Sequence, residues 1–288
     1  MSSNTKLMTD DAGLTFEYLD AEETAFLWEE IFTRRSYFQH GVRVSQSHAP
    51  VIVDAGANIG LFGMACLREN VSARVYALEP SPTAFQCLER NLAVNESALC
   101  MQVLLRDVAA AKHVLYCFPD APGESTCHLA ERRRQRARLK AHVGKAEEAG
   151  TDGDSVEPSV AVEVPATTLS DLLSTWNVTS VDLLKVDVEG DELLLLRGIR
   201  AADWPKIRQV VCEVHDVHGR LDSVCRLLRR HGLHVVHEQQ RGGFVDGYEM
   251  IVPDSLRLFY VYATREASAS VRGACGRTGG GTRKRALE

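Results

Sequence analysis

Two spacings of apolar residues alternate along the chain. Short β-branched runs read as strands, and stripes recurring every three or four positions read as helices. The clearest unit begins with Val51-Ile52-Val53-Asp54, an apolar run ending in an acid, passes through Ala55-Gly56-Ala57-Asn58-Ile59-Gly60, and continues as Leu61-Phe62-Gly63-Met64-Ala65-Cys66-Leu67. It predicts a strand, a tight glycine turn and a buried helix. Such a turn lets the backbone approach a ligand closely, and it aims the free N–H groups of the helix start at that ligand.

Residues 1–45 read as an N-terminal extension: a loose start over 1–12, then a capping helix over Ala21–Thr33 carrying Phe26, Leu27, Ile31 and Phe32 among glutamates. Tyr37, Phe38 and His40 follow, either as packing or as the edge of a ligand site. Beyond the glycine turn, Arg74–Glu79 predicts a strand, Ser81-Pro82 opens a helix with Phe85, Leu88 and Leu92 on one face, and Met101–Leu105 predicts a third strand running into Arg106-Asp107-Val108. Further strands are expected at Lys112–Phe118, Val160–Val164, Val181–Gly190, Gln209–Val214, His234–Glu238 and Leu258–Ala263. Helices are expected from Thr167 or Thr168 to Trp176, at Leu193–Ile199, and at Leu221–Arg230 with Gly232 closing it. Gly242-Gly243 and Gly247 read as a loop. This alternation predicts an α/β fold, a doubly wound Rossmann-like sheet, mostly parallel, with an antiparallel last strand because a loop joins the final two strands. One domain spans 46–265. Ligands of such a sheet sit at the carboxyl ends of its strands.

Two stretches fall outside that pattern. Within an insertion at 120–159, the basic run Glu131–Lys140 stands beside the acidic stretch Glu147–Glu157. Adjacent blocks of opposite charge predict a solvated surface insertion, with phosphate binding or a lid over an acidic substrate as the alternatives. Residues 266–288, rich in glycine and basic side chains, predict a disordered tail.

Composition narrows the class. With 45% hydrophobic and 25% charged residues the chain is ordinary for a soluble protein. Its net charge of −6 gives no electrostatic case for nucleic acid. No apolar stretch suggests a membrane span, and the polar, acidic first thirty residues do not resemble a secretory signal, so a cytoplasmic protein is expected. The eight cysteines, without a C-x-x-C pair, read as reduced core thiols.

The candidate chemistry lies at strand ends. Glu79 falls about 25 residues after Asp54, at the end of the next strand, where an acid accepts hydrogen bonds from a ribose diol. Asp107, after the third strand, is placed to meet the attached base. The turn is not G-x-G-x-x-G: Asn58 stands at its second glycine and Leu61 at its third. In Val181–Gly190 the charged residues Lys185, Asp187 and Glu189 share one side, and Glu213-Val214-His215-Asp216 closes the next strand. Asp187, Glu189, Glu213 and His215 are therefore candidate bases, His215 being the one that titrates near neutral pH without a large shift. A structural ion pair between Lys185 and Asp187 stands as the alternative. An Mg²⁺ site from Asp187, Glu213 and Asp216 is considered, and no metal is expected.

The segments DAGANIG, ALEPSP, DLLKVDVEG and CEVHD, in this order and spacing, resemble the FkbM-type S-adenosylmethionine-dependent methyltransferases over roughly Ile31–Ala263. Tyr37-Phe38-Gln39-His40-Gly41 and Asp203-Trp204-Pro205-Lys206-Ile207 also look like the branch linked to polyketide and peptide assembly. The resemblance implies S-adenosylmethionine as cofactor, with Gly56, Ala57 and Asn58 along its amino-acid part, Asp54 supporting the turn and Gly60 allowing close packing. Glu79 would hold the ribose, and Asp107 with Val108 would flank the adenine. This cofactor has no pyrophosphate, so Asn58 can replace a glycine. O-methylation of a small-molecule hydroxyl is then expected, with His215 or Glu189 as base and Asp187 orienting the acceptor or the cofactor's amino group. A nicotinamide oxidoreductase and a noncatalytic cofactor- or partner-binding module are the competing readings.

Overall fold

The computed structural model describes residues 5–10, 13–93, 95–118, 121–143, 159–240, 243–245, 248–250 and 256–265. The acidic half of the insertion and the C-terminal tail lie outside these residues. The first elements are a hairpin, β1 (Lys6–Thr9) and β2 (Thr15–Tyr18), and helix α1 (Ala21–Trp28), which runs on as a π-helical turn over Glu29–Thr33. Asp20 caps α1 by accepting from the Glu23 amide at 2.8 Å.

Then come β3 (Val51–Ala55), α2 (Leu61–Glu69), β4 (Arg74–Leu78), α3 (Pro82–Leu92) and β5 (Ala98–Met101). Two short strands, β6 (Leu104–Leu105) and β7 (Ala110–Cys117), precede α4 (Leu129–Val143). The chain continues with β8 (Val160–Thr167), α5 (Leu169–Thr175), β9 (Leu183–Val186), α6 (Glu192–Arg197) and β10 (Gln209–His215). It finishes with α7 (Arg220–Arg230), β11 (His234–Gln239), β12 (Gly243–Val245), β13 (Tyr248–Met250) and β14 (Leu258–Thr264).

Seven strands form the main sheet in the order β11-β14-β10-β9-β3-β4-β5. Pairings from β10 through β5 are parallel, while β14 is antiparallel to both β10 and β11. This is the doubly wound, largely parallel Rossmann-like sheet with an antiparallel last strand. The strands buried on both faces are near-continuous apolar runs, as a covered parallel sheet requires. One face packs Ile52, Val75, Leu183 and Val211 against Phe62, Leu88 and Leu92 of α2 and α3. The other packs Val53, Leu184, Val186 and Val210 against Leu195, Leu196 and Leu228 of α6 and α7.

The structure corrects the expected elements in four places. Part of the loose start is the β1–β2 hairpin, which Asn91 of α3 pins by accepting from the Glu17 amide and donating to its carbonyl. The expected third strand, Met101–Leu105, is displaced: the main-sheet strand is β5, which ends at Met101, whereas Leu104–Leu105 form β6, which pairs with β8 in a side sheet that also holds β7. The expected strand Val181–Gly190 ends at Val186, because Glu189 (φ 50°) and Gly190 (φ 110°) turn left-handed. Finally, a short pair, β12–β13, forms between β11 and β14 where a loop was expected.

The basic half of the insertion is a helix that packs inward. Arg132 and Gln135 of α4 are buried while Arg133 and Arg134 are exposed. Its binary pattern hid this, because the buried side of the helix is itself polar and rests on acids rather than on the apolar core.

Candidate functional site

Strand register assembles the site. Asp54 pairs with Lys185 and Ala77, and Cys212 pairs with Val186. Extending each pairing to the carboxyl edge sets Glu79, Gly56, Asp187, Glu213 and Tyr260 in one row, the last two being direct partners. At about 4.8 Å per strand, the row spans the middle of the sheet. Glu79, Gly56, Asp187 and Glu213 border a cavity of about 680 Å³, a volume suited to a small-molecule ligand.

The glycine turn closes against this row. Gly56 has φ 77°, and a Cβ there would overlap the carbonyl oxygen of Asp187, so only glycine lets the β3 and β9 ends come together. Gly60 (φ 96°) faces Leu88 of α3, which a Cβ would meet at 2.9 Å. Asn58 is also left-handed (φ 48°). Its amide donates to Glu79 Oε2 at 2.9 Å and its Nδ2 donates to Glu23 Oε1 at 2.9 Å, while its Oδ1 is buried without a partner.

Glu79 borders the cavity and is nearly enclosed. Its Oε1 accepts from the Ser81 amide at 2.8 Å, and the Asn58 amide serves Oε2. Each oxygen keeps a further acceptor site. Burial raises the carboxyl to about 7 against the lowering effect of those two amides.

Lys185 is the buried cation of the turn. Its Nζ donates to Gly56 O at 2.8 Å and lies 3.3 Å from both Asp54 Oδ1 and Asp187 Oδ2. Burial by itself would lower this ammonium, yet Asp54 and Asp187 hold it above its ordinary value. Asp54, fully enclosed, supports the turn through Lys185, and the structural ion pair of Lys185 with Asp187 is present. Asp187 also accepts from the Tyr37 hydroxyl at 2.9 Å.

Beyond Asp187 lies an acidic cluster that sequence reasoning missed in part. Glu30 accepts from the Tyr260 hydroxyl and, at 3.2 Å, from Gln240 Nε2. Burial lifts Glu30 to about 7, the Tyr260 bond opposing and Asp187 adding to the rise. Its signal was an acid on an apolar stripe, four residues after Phe26. Glu213 borders the same space.

Glu189 and His215 come together, with Nε2 of the ring 3.2 Å from Glu189 Oε2. Arg132 of α4 pairs with the same Glu189 oxygen, and Glu192 Oε1 lies 3.4 Å from His215 Nδ1. Thr126 Oγ1 donates to the Glu189 carbonyl at 2.6 Å, tying the left-handed turn to the start of the insertion. The charged insertion thus supplies Arg132 and Thr126 to the cavity.

Two expected residues stand elsewhere. Asp107 and Val108 are exposed and do not border the cavity. Gly198 after α6 packs directly on the Arg106–Asp107 backbone, which turns these side chains outward. Val103, Leu104 and Leu105 line the wall in their place. Asp216 is turned away as well, capping α7 through the Leu221 amide at 3.0 Å and pairing with Arg257. Among the described residues no group of three or more His, Cys, Asp or Glu is arranged to hold a metal ion.

Comparison with known proteins agrees with this geometry. Residues 54–235 match the family model described as "Methyltransferase FkbM domain". The chain is 37% identical over 237 residues to the 31-O-demethyl-FK506 methyltransferase FkbM of Streptomyces tacrolimicus, covering 79% of this chain and 88% of that protein. It is 31% identical over 248 residues to methyltransferase sdnD of Sordaria araneosa, covering 82% and 92%. Methyltransferase 1 of Beauveria bassiana is 30% identical over 239 residues, covering 81% and 90%.

Proposed function

The chain belongs to the FkbM family of S-adenosylmethionine-dependent methyltransferases, and from that premise we propose that it methylates a hydroxyl group on a small natural-product molecule. The FkbM name of the Streptomyces relative specifies an oxygen as its methylated atom, which supports the same choice here. The observation that carries the reading is the row Glu79–Gly56–Asp187 along one side of the cavity. It sets a diol acceptor, a close-approach turn and an oriented acid in line.

The residues fit the cofactor. Glu79 keeps an acceptor site on each oxygen for a ribose hydroxyl, and the orphaned Asn58 Oδ1 is an acceptor for the ammonium of an amino-acid moiety. Gly56–Asn58 would lie along that moiety, and Val103–Leu105 would supply an apolar wall for the base. When bound, the cofactor supplies a methyl group activated on a sulfonium. The protein's part is to align the acceptor oxygen and exclude water. Asp187, held by Lys185 and Tyr37, orients the acceptor, and the Glu189–His215 pair takes its hydroxyl proton.

The seven described cysteines are all free thiols, which supports a cytoplasmic setting. No described helix is long and apolar enough to cross a membrane. The net charge supports a small-molecule acceptor over nucleic acid.

The test uses methyl-labelled cofactor with a panel of hydroxylated macrolides, peptides and sugars, followed by mass spectrometric location of the label. Label on nitrogen or carbon would overturn O-methylation. Glu79→Gln is expected to weaken cofactor binding about tenfold or more by calorimetry, the loss of a charge-assisted hydrogen bond. His215→Asn is expected to lower turnover at least about a hundredfold with cofactor affinity within about threefold, the range of one general base. Equal turnover would remove His215 from the proton path.

A further inference from the structure

The charges around the cavity do not balance. Among the described residues that line it are nine carboxyl side chains and two cations, Lys185 and Arg132. Both cations are already engaged. Lys185 is held between Asp54 and Asp187, and Arg132 by Glu189 and Glu124.

Among the buried carboxyls described there, Glu213 is the one this leaves without a partner. It is 9% exposed, borders the cavity, and no described hydrogen bond or ion pair closes on its carboxyl group. Its strand neighbours give it no ion pair either: His215, two residues on and on the same side, has its ring nitrogens at Glu189 and Glu192, and Tyr260 stands across the β10–β14 pairing. The acids facing it are Asp187 from the end of β9, Glu30 from the π-helical turn and Glu192 from α6, and the cations opposing them are Lys185 and Arg132 of α4, both already engaged by other carboxylates. Tyr37 and Tyr260 face the same space, and both hydroxyls are committed to Glu30 and Asp187.

Position separates Glu213 from the cofactor's end of the row. Glu79 and Gly56 are adjacent, and Glu213 lies two strands past Gly56, about 10 Å at the usual strand spacing. A buried carboxyl group with no hydrogen-bond partner, among like charges, at the acceptor's end of the cavity is complementary to a positive group.

We propose that Glu213 receives a protonated amine on the methyl acceptor, so that the acceptor class is a hydroxylated amine. This rests on the methyltransferase reading above and adds the acceptor's charge to it. Burial, reinforced by Asp187 and Glu30, pushes the Glu213 carboxyl well above the ordinary carboxylate range. An arriving ammonium therefore displaces its proton, which leaves for solvent: amine binding releases protons and tightens as pH rises.

The probe is benzylamine, with benzyl alcohol of equal shape, titrated by calorimetry into the complex with S-adenosylhomocysteine at pH 7.5 in two buffers of different ionisation enthalpy. Benzylamine is expected to bind at least about tenfold tighter than benzyl alcohol, with proton release, and Glu213→Gln is expected to abolish both the preference and the release. Equal binding of the two probes, or an unchanged preference in the variant, would overturn the proposal while leaving methyl transfer intact. In a second arm, Glu213→Gln is titrated with S-adenosylmethionine and with S-adenosylhomocysteine. Unchanged affinity for both supports the acceptor role, whereas loss confined to S-adenosylmethionine would overturn it by giving Glu213 to the sulfonium. Should the variant fail to fold, proton release in the unsubstituted protein still decides: none overturns the proposal.

Discussion

Gly56 carries two demands that no other residue meets. Its φ of 77° is left-handed, and the space of a Cβ is taken by the Asp187 carbonyl. Gly56→Ala is therefore expected to destabilise the protein by about 2–4 kcal/mol, strain and overpacking together, measured by urea unfolding without cofactor. Asn58 accepts the same left-handed geometry as asparagines do, and its side chain bridges to Glu23. The motif residues Asp54, Gly56, Asn58, Gly60 and Glu79 were legible because close approach and strand-end acids leave a spacing in the sequence. Glu30 showed as an acid on an apolar stripe, but its partnership with Tyr260 left no spacing to read, since it spans 230 positions. Asp107 and Val108 were misplaced because strand order says which loop follows a strand and not which way that loop turns.

Among the elements, α4 has the largest functional consequence. Arg132 pairs with Glu189 and Glu124, Arg136 with Glu124, and Glu131 with Arg220 of α7. This docking surface is ionic, so a charge-block reading predicted solvent where the helix finds acids. Arg132→Ala leaves the Glu189 oxygen facing only His215. Loosening of α4 is expected, seen as faster proteolysis within 122–143, together with at least about a tenfold fall in turnover and less than about threefold change in cofactor affinity, since a broken buried pair costs about 3–5 kcal/mol locally. Unchanged proteolysis and turnover would show that α4 is a bystander. Apart from β5, the main-sheet strands and their helices were legible from periodicity. The β1–β2 and β12–β13 pairs were not, because strands of three or four residues carry too few positions to show a period.

For the molecule as a whole, buried acids set the pH response. Glu30 and Glu79 rise from 4.5 to about 7 in the folded state, so between those values the native protein holds protons that the unfolded chain has lost. Stability then falls as pH rises through that window. His128, raised first by its hydrogen bond to Asp191, adds stability below its ordinary value that is lost at higher pH, in the same direction. His113 and His231, lowered by burial, run the other way. The thermal midpoint is expected to be higher at pH 5.5 than at pH 8, and Glu30→Gln to reduce that difference. A midpoint that climbs toward pH 8 would mean these acids are ionised in the native state.

The position of β14 bears on how such a molecule comes to be made. It is the last strand among the described residues, yet it lies between β10 and β11. During vectorial synthesis β10 and β11 emerge first, and each must wait with an unpaired edge for a strand that ends at Thr264. Open edges of this kind recruit strands from other chains. The final turn of the ribosome's work on this domain is therefore also its point of greatest exposure to aggregation, and chaperone dependence should be concentrated there.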